Sequence, residues 1–219
     1  MQLAIFNGSP RRSKSNSTLL LTQFLNGYHD TTPQLPIHYL ADTKKISSHI
    51  EHFEEADTVI IIFPLYTDAM PGQVKFFFEA LAPIESKAKN VGFIVQSGFP
   101  EAHHSVYIER YLEKLDKRKE WNYIGTVIKG GIEGIQIMPP SMTKKLYNQF
   151  YELGKYFAAT GKFKPDIVDK LRTPYKLNKR GQFVFRFMKW IGLTNFYWNK
   201  KLKENGAFEK RFAQPYAPV

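Results

Sequence analysis

The run Thr58-Val59-Ile60-Ile61-Ile62-Phe63 constrains this chain most. It is continuous and mostly β-branched, with no alternation of polar and apolar residues. Such a strand is buried on both faces, as in a parallel sheet with helices on each side. Similar runs occur at Gln2–Asn7, Val91–Gln96 and Tyr123–Ile128, and a shorter, less apolar one at Gln34–Leu40.

Helical patterns separate these runs. Capping residues Ser15–Thr18 precede Leu19-Leu20-Leu21, Phe24 and Leu25, which recur at helical spacing. Ile46–Glu55 reads as a short helix, and Pro71–Ala82 as another with Pro71 in its first turn. His103–Lys119 carries Val106, Tyr107, Tyr111, Leu112 and Leu115 on its apolar side, and Ser141–Ala159 is expected to be capped by Ser141. Five strands alternating with helices predict an α/β protein with a parallel sheet wound on both faces. The pattern ends near Gly161–Pro165, so the expected domains are 1–164 and 165–219, the latter without strands.

Charge separates the same two parts. The chain has 31 Lys and Arg against 20 Asp and Glu, net +11. Residues 165–219 hold twelve of those cations and four of the acids, among many aromatics. Phe183, Val184, Phe187, Met188, Trp190 and Ile191 fall on one helical face, with Arg186 and Lys189 on the other. An anionic membrane surface, a nucleic acid, or packing on the sheet domain or a second subunit would each suit that pattern, and packing is the simplest. No cysteine is present, which excludes disulfides, thiolate metal sites, cysteine-ligated iron–sulfur clusters and cysteine nucleophiles. No apolar run reaches bilayer length and no leader peptide precedes the first strand, so a cytoplasmic protein is expected.

Open parallel sheets bind ligands beyond the carboxyl ends of their strands. After the first strand comes Asn7-Gly8-Ser9-Pro10-Arg11-Arg12-Ser13-Lys14-Ser15-Asn16-Ser17-Thr18, rich in hydroxyls and cations and leading into a helix N-terminus. Such a terminus suits a phosphate, although the loop would equally serve as a plain helix cap. It has neither the P-loop nor the G-x-G-x-x-G spacing. After the third strand comes Pro64-Leu65-Tyr66-Thr67-Asp68-Ala69-Met70-Pro71-Gly72, and after the fourth Ser97-Gly98-Phe99-Pro100-Glu101. Aromatic and proline residues there would wall a flat ligand, or pack as ordinary turns.

Gly8-Ser9-Pro10-Arg11 with Ser15-Asn16-Ser17-Thr18, and Pro64-Leu65-Tyr66 with Met70-Pro71-Gly72, resemble the two signatures of the flavodoxin-like NAD(P)H-dependent FMN reductase superfamily. The resemblance covers roughly residues 1–160. It implies a flavodoxin-like three-layer sandwich with strand order 2-1-3-4-5, followed here by a basic helical C-terminal extension. It implies FMN as cofactor and NADH or NADPH as electron donor. By motif position, Ser9, Arg11, Ser15, Asn16, Ser17 and Thr18 would hold the phosphate. Pro64, Leu65, Tyr66, Thr67 and Met70 would line the ribityl chain and ring, and Ser97, Gly98 and Phe99 the far edge. The acceptor would be a quinone, a free flavin or a similar small molecule, and a homodimer is implied. A flavodoxin-type electron carrier is the alternative, disfavoured by the net positive charge. The iron–sulfur branch of the superfamily is excluded, because 42–57 has no cysteine.

Other residues carry weaker expectations. One of Arg11 and Arg12 is expected on the phosphate. His103 and His104 would donate to flavin or substrate, or simply be exposed, and Asp68 is expected to point away. Gly130, Gly131 and Gly134 suggest close backbone approach, to a neighbouring subunit or within a plain turn. His29, His38, His49 and His52 show no metal-binding spacing, and no metal is expected.

Overall fold

A computed structural model describes residues 2–30, 34–81, 89–192 and 195–216. The chain divides into two compact units, Met1–Lys176 and Leu177–Val219. Five parallel strands form one sheet: β1 (Leu3–Asn7), β2 (Ile37–Tyr39), β3 (Thr58–Pro64), β4 (Asn90–Gln96) and β5 (Asn122–Lys129), in the order β2-β1-β3-β4-β5. Between them lie α1 (Asn16–His29), α2 (Ile46–Glu55), α3 (Gly72–Ala80) and α4 (Val106–Arg118), with α5 (Pro140–Thr160) and α6 (Pro165–Leu171) after β5.

The pleat explains the two layers of helices. Leu3, Ile5, Ile60 and Ile62 face one side and join buried residues of α1, α5 and α6. Ala4, Phe6, Val59, Ile61 and Phe63 face the other and join α2, α3 and α4. Ile5, Phe6 and all of Val59–Phe63 are fully buried, each worth roughly 1.5–3 kcal/mol of transfer free energy. Strand order reverses between β1 and β3, so the loops after these two strands splay apart and leave a crevice.

α1 and α5 approach closely because each offers a glycine. A Cβ on Gly27 would sit 1.9 Å from the Tyr151 carbonyl oxygen, and one on Gly154 would sit 1.8 Å from that of Phe24. Opposite, Lys89 is buried and donates to the carbonyls of Phe53, Glu54 and Ala56, with its Nζ 4.6 Å from the centre of the Phe53 ring. It satisfies orphan carbonyls at the end of α2.

Several elements differ from expectation. α4 buries Ile108, Leu112 and Asp116, leaving Tyr107 and Tyr111 exposed. The cap of α5 is Pro139, with Pro140 at the first helical position, rather than Ser141. Pro71 is the N-cap of α3 and not within its first turn; Ala82, its expected end, lies outside the described residues. The first unit runs past the expected 164/165 boundary, since Ile167 and Leu171 of α6 join the core beside Phe163 and Phe157.

The second unit contains α7 (Lys179–Trp190), capped by the Asn178 side chain, which accepts from Gly181 N at 2.8 Å. α8 (Phe196–Glu204) follows, then a short turn where Lys203 and Arg211 lie over the Phe208 ring. Among the described residues, no helix is long and apolar enough to cross a membrane.

Candidate functional site

The loop after β1 is fixed from inside by Asn7, the last residue of the strand. Its side-chain amide donates to Thr18 Oγ1 at 2.9 Å, and its Oδ1 accepts from Ser9 N at 2.9 Å. Gly8 N donates to Ile62 O at 2.7 Å, pinning the start of the loop to β3. Ser15 is the N-cap of α1, its Oγ accepting from Thr18 N at 3.1 Å. Thr18 Oγ1 in turn donates to Arg12 O at 2.8 Å.

These bonds leave a defined set of groups for a ligand. Among the described residues, the backbone N–H groups of Asn16 and Ser17, in the first turn of α1, meet no protein acceptor. Among the described residues, the Ser9 hydroxyl has no hydrogen-bond partner. Among the described residues, Ser17 Oγ receives only a long contact from Gln96 Nε2, 3.4 Å. Two amides and two hydroxyls at the positive end of a helix make a candidate cradle for an anion. Ser15 and Thr18 are engaged internally, and Asn16 uses its side chain to hold Ile132 O at 3.0 Å.

The two arginines part company. Arg12 adopts a positive φ of 50° and pairs with Asp42 at 2.7 Å, which commits it to the β2 side. Arg11 is exposed at the mouth of the loop and makes no ion pair among the described residues.

The loop after β3 is a tight turn. Tyr66 and Ala69 exchange both backbone hydrogen bonds, at 2.9 and 3.0 Å, around Thr67 and Asp68. Both central residues have positive φ, 48° and 61°. A β-branched residue in that region is strained, by order 1–3 kcal/mol. The strained turn holds Tyr66 and Thr67 exposed, while Pro64 and Leu65 are buried, Leu65 in the α2–α4 side of the core. Met70 is half-buried against the same core. Of the expected ligand contacts in this loop, Pro64 and Leu65 are thus buried and Tyr66 and Thr67 exposed.

The loop after β4 rests on the end of β5. Ser97 N donates to Lys129 O at 3.0 Å, Ile132 N to Ser97 O at 2.9 Å and Gly131 N to Phe99 O at 2.7 Å. Gly130 permits this: a Cβ there would lie 2.5 Å from Phe99 O. The close approach expected here is thus made at Gly130, to this loop of the same chain. Gly98 and Phe99 are exposed, and the Phe99 ring stacks on His104 with centroids 4.5 Å apart. His103 and His104 are half-buried beside Glu101, their nearest nitrogens 3.9 and 3.6 Å from its Oε2. The three residues form a ligand-like cluster that their adjacency alone did not suggest. Burial lowers the pKa of Lys129 at the foot of the loop.

Sequence reasoning missed four residues that build the site: Asn7, Gln73, Gln96 and Ile132. Gln73 Nε2 holds Gly8 O at 2.9 Å across the crevice. A strand-terminal Asn before glycine was the available signal for Asn7; the others act through tertiary contacts. Two open hollows of about 760 and 780 Å³ lie along α5 and contain none of the expected ligand contacts.

Comparison with solved structures finds similar folds at low identity. An NADPH-quinone reductase from P. pentosaceus is 16% identical with a TM-score of 0.54, over 69% of this chain and 96% of that one. An NAD(P)H:quinone oxidoreductase from Methanothermobacter marburgensis is 15% identical with a TM-score of 0.57, over 71% and 98%. An FMN-dependent NADH-azoreductase from Bacillus anthracis str. Ames Ancestor, solved in complex with FMN, is 16% identical with a TM-score of 0.54, over 72% and 100%. No curated protein matches the chain significantly. A family model described as a flavodoxin-like fold matches residues 1–113, more than half of the sequence, and with the strand order found here the chain belongs to that flavodoxin-like family.

Proposed function

We propose that the protein is an FMN-dependent NAD(P)H oxidoreductase that passes electrons to a quinone, a flavin or a similar small acceptor. The observation that carries this reading is the anion cradle of Ser9, Asn16 and Ser17 at the sheet's switch point. Such a set of donors suits a phosphate, and the exposed side chains of Tyr66 and Phe99 belong to the loops after the next two strands of the sheet. The similar proteins named above carry out reactions of this class with nicotinamide donors.

FMN, when bound, supplies the capacity to take a hydride from a nicotinamide and deliver electrons onward. The chain's own residues bind and orient. The two free amides and two serine hydroxyls hold the phosphate, with Arg11 at the mouth adding positive charge. The rigid Tyr66–Ala69 turn and the braced Ser97–Phe99 loop set the walls. No titrating residue is required for hydride transfer, so the absence of an acid–base pair among the expected contacts fits this chemistry.

The test is spectroscopic. Protein reconstituted with FMN and freed of excess cofactor is expected to retain flavin absorbance and to bleach on anaerobic addition of NADH or NADPH. Retention without bleaching by either nicotinamide, together with fast reduction by a partner reductase, would favour an electron carrier. Failure to retain FMN contradicts the reading altogether.

A further inference from the structure

We infer that the Leu177–Val219 unit docks the protein on the surface of anionic lipid bilayers. α7 places Phe183, Phe187, Trp190 and Ile191 on one face, and none of its residues is buried. Phe183 is 70% exposed and Trp190 81%. Within its own unit the stripe has no core to pack against. By helical spacing Lys189 lies on the far side of the helix together with Phe185, and Arg186 flanks the stripe beside Trp190.

Charge complementarity selects the occupant. Residues 177–219 hold nine Lys and Arg against two Glu. An identical copy of the unit would bring like charge against like charge, whereas an anionic headgroup layer neutralises it. A short helix with a broad apolar face, cations beside and behind it and Trp at the margin matches interfacial insertion, where the apolar side sinks to the acyl boundary and cations remain among the headgroups. Lys203 and Arg211 already lie over the Phe208 ring, keeping cation and aromatic side by side as an interface requires. No described helix crosses a membrane, so the contact is peripheral.

Two of the three tryptophans, Trp190 and Trp198, are exposed in this unit, while Trp121 is buried in the other. Intrinsic emission therefore reports on the unit directly. The full chain is mixed with phosphatidylcholine vesicles and with phosphatidylcholine–phosphatidylglycerol vesicles, and followed by co-sedimentation and emission. Binding at least about tenfold tighter to the anionic vesicles, with a blue shift that weakens in high salt, is the expected result. The pair Arg186→Glu and Lys189→Glu should lower that binding at least about tenfold, and Phe187→Ser with Trp190→Ser should abolish the shift. Neither pair should change the far-UV circular dichroism of the sheet unit.

Equal binding to both vesicles, or none, overturns the inference. So does a lipid-free, concentration-dependent dimer whose emission is already blue-shifted, which would assign the face to a second copy. Binding to a single-stranded oligonucleotide without vesicle binding overturns it as well. FMN retention on the same preparations is read separately, so failure of the flavin reading leaves this result intact.

Discussion

Asn7 and Thr18 are joined by a 2.9 Å hydrogen bond that ties the end of β1 to the first turn of α1 across the intervening loop. The same Asn7 side chain accepts from Ser9 N, so one fully buried amide sets both the entry and the exit of the anion cradle. Replacing it by alanine strands a buried N–H and frees the loop. Asn7→Ala should cost about 2 kcal/mol of stability, read by urea denaturation. It should weaken FMN binding by about tenfold or more through lost preorganisation, read by flavin fluorescence titration.

Gly154 faces the backbone of α1 so closely that a methyl group would overlap the Phe24 carbonyl. Helix propensity alone gives Gly154→Ala a gain of about 1 kcal/mol. The clash is with backbone rather than a movable side chain, so the helices must separate. A net loss of about 2–3 kcal/mol is expected, read as a lower thermal midpoint. A rise in the midpoint would mean that α1 and α5 can part without cost.

Asp116 is a buried carboxyl with no hydrogen-bond partner on either oxygen among the described residues, and burial pushes its pKa up to about 8. The unfolded chain ionises it near 3.8, so the folded state binds more protons between these values. Stability attributable to this group is therefore present at acid pH and lost as pH rises toward 8. Asp116→Asn should leave the midpoint nearly unchanged at pH 4 and stabilise by a few kcal/mol at pH 8, to order of magnitude. His38 works in the opposite sense: burial and the neighbouring His52 and His49 lower its pKa to about 4, so its contribution is lost as pH falls below 6.5. Denaturation curves of wild type and Asp116→Asn across this range separate the two.

The sheet was legible because its strands are buried on both faces. β-branched runs such as Val59–Ile62 have few alternatives, and the order 2-1-3-4-5 followed from the family signatures. The edge strand β2 shrank to Ile37–Tyr39 because its polar residues offer little to bury. α4 was rotated in the reading because Tyr107 and Tyr111 have apolar rings; the fold instead buries the Ile108, Leu112 and Asp116 stripe. That choice depends on which face meets the sheet, a tertiary fact. In the site, the hydroxyl loop was visible as composition, but its wiring was not. Which hydroxyls remain open depends on Asn7, and Arg12 is drawn away by Asp42, thirty residues distant. The burial of Leu65 follows from its place directly after β3, where its N–H donates to Gln96 O, and from its packing in the α2–α4 side of the core.

The account stands on a phosphate held at the start of α1, and comparing FMN with riboflavin tests it most directly. The two share the ring and ribityl chain and differ only in the phosphate. Equilibrium titration should show FMN binding at least about a hundredfold tighter, and Ser17→Asp, which sets a negative charge in the cradle, should erase the difference. Equal affinity of FMN and riboflavin for the unaltered protein would contradict the account.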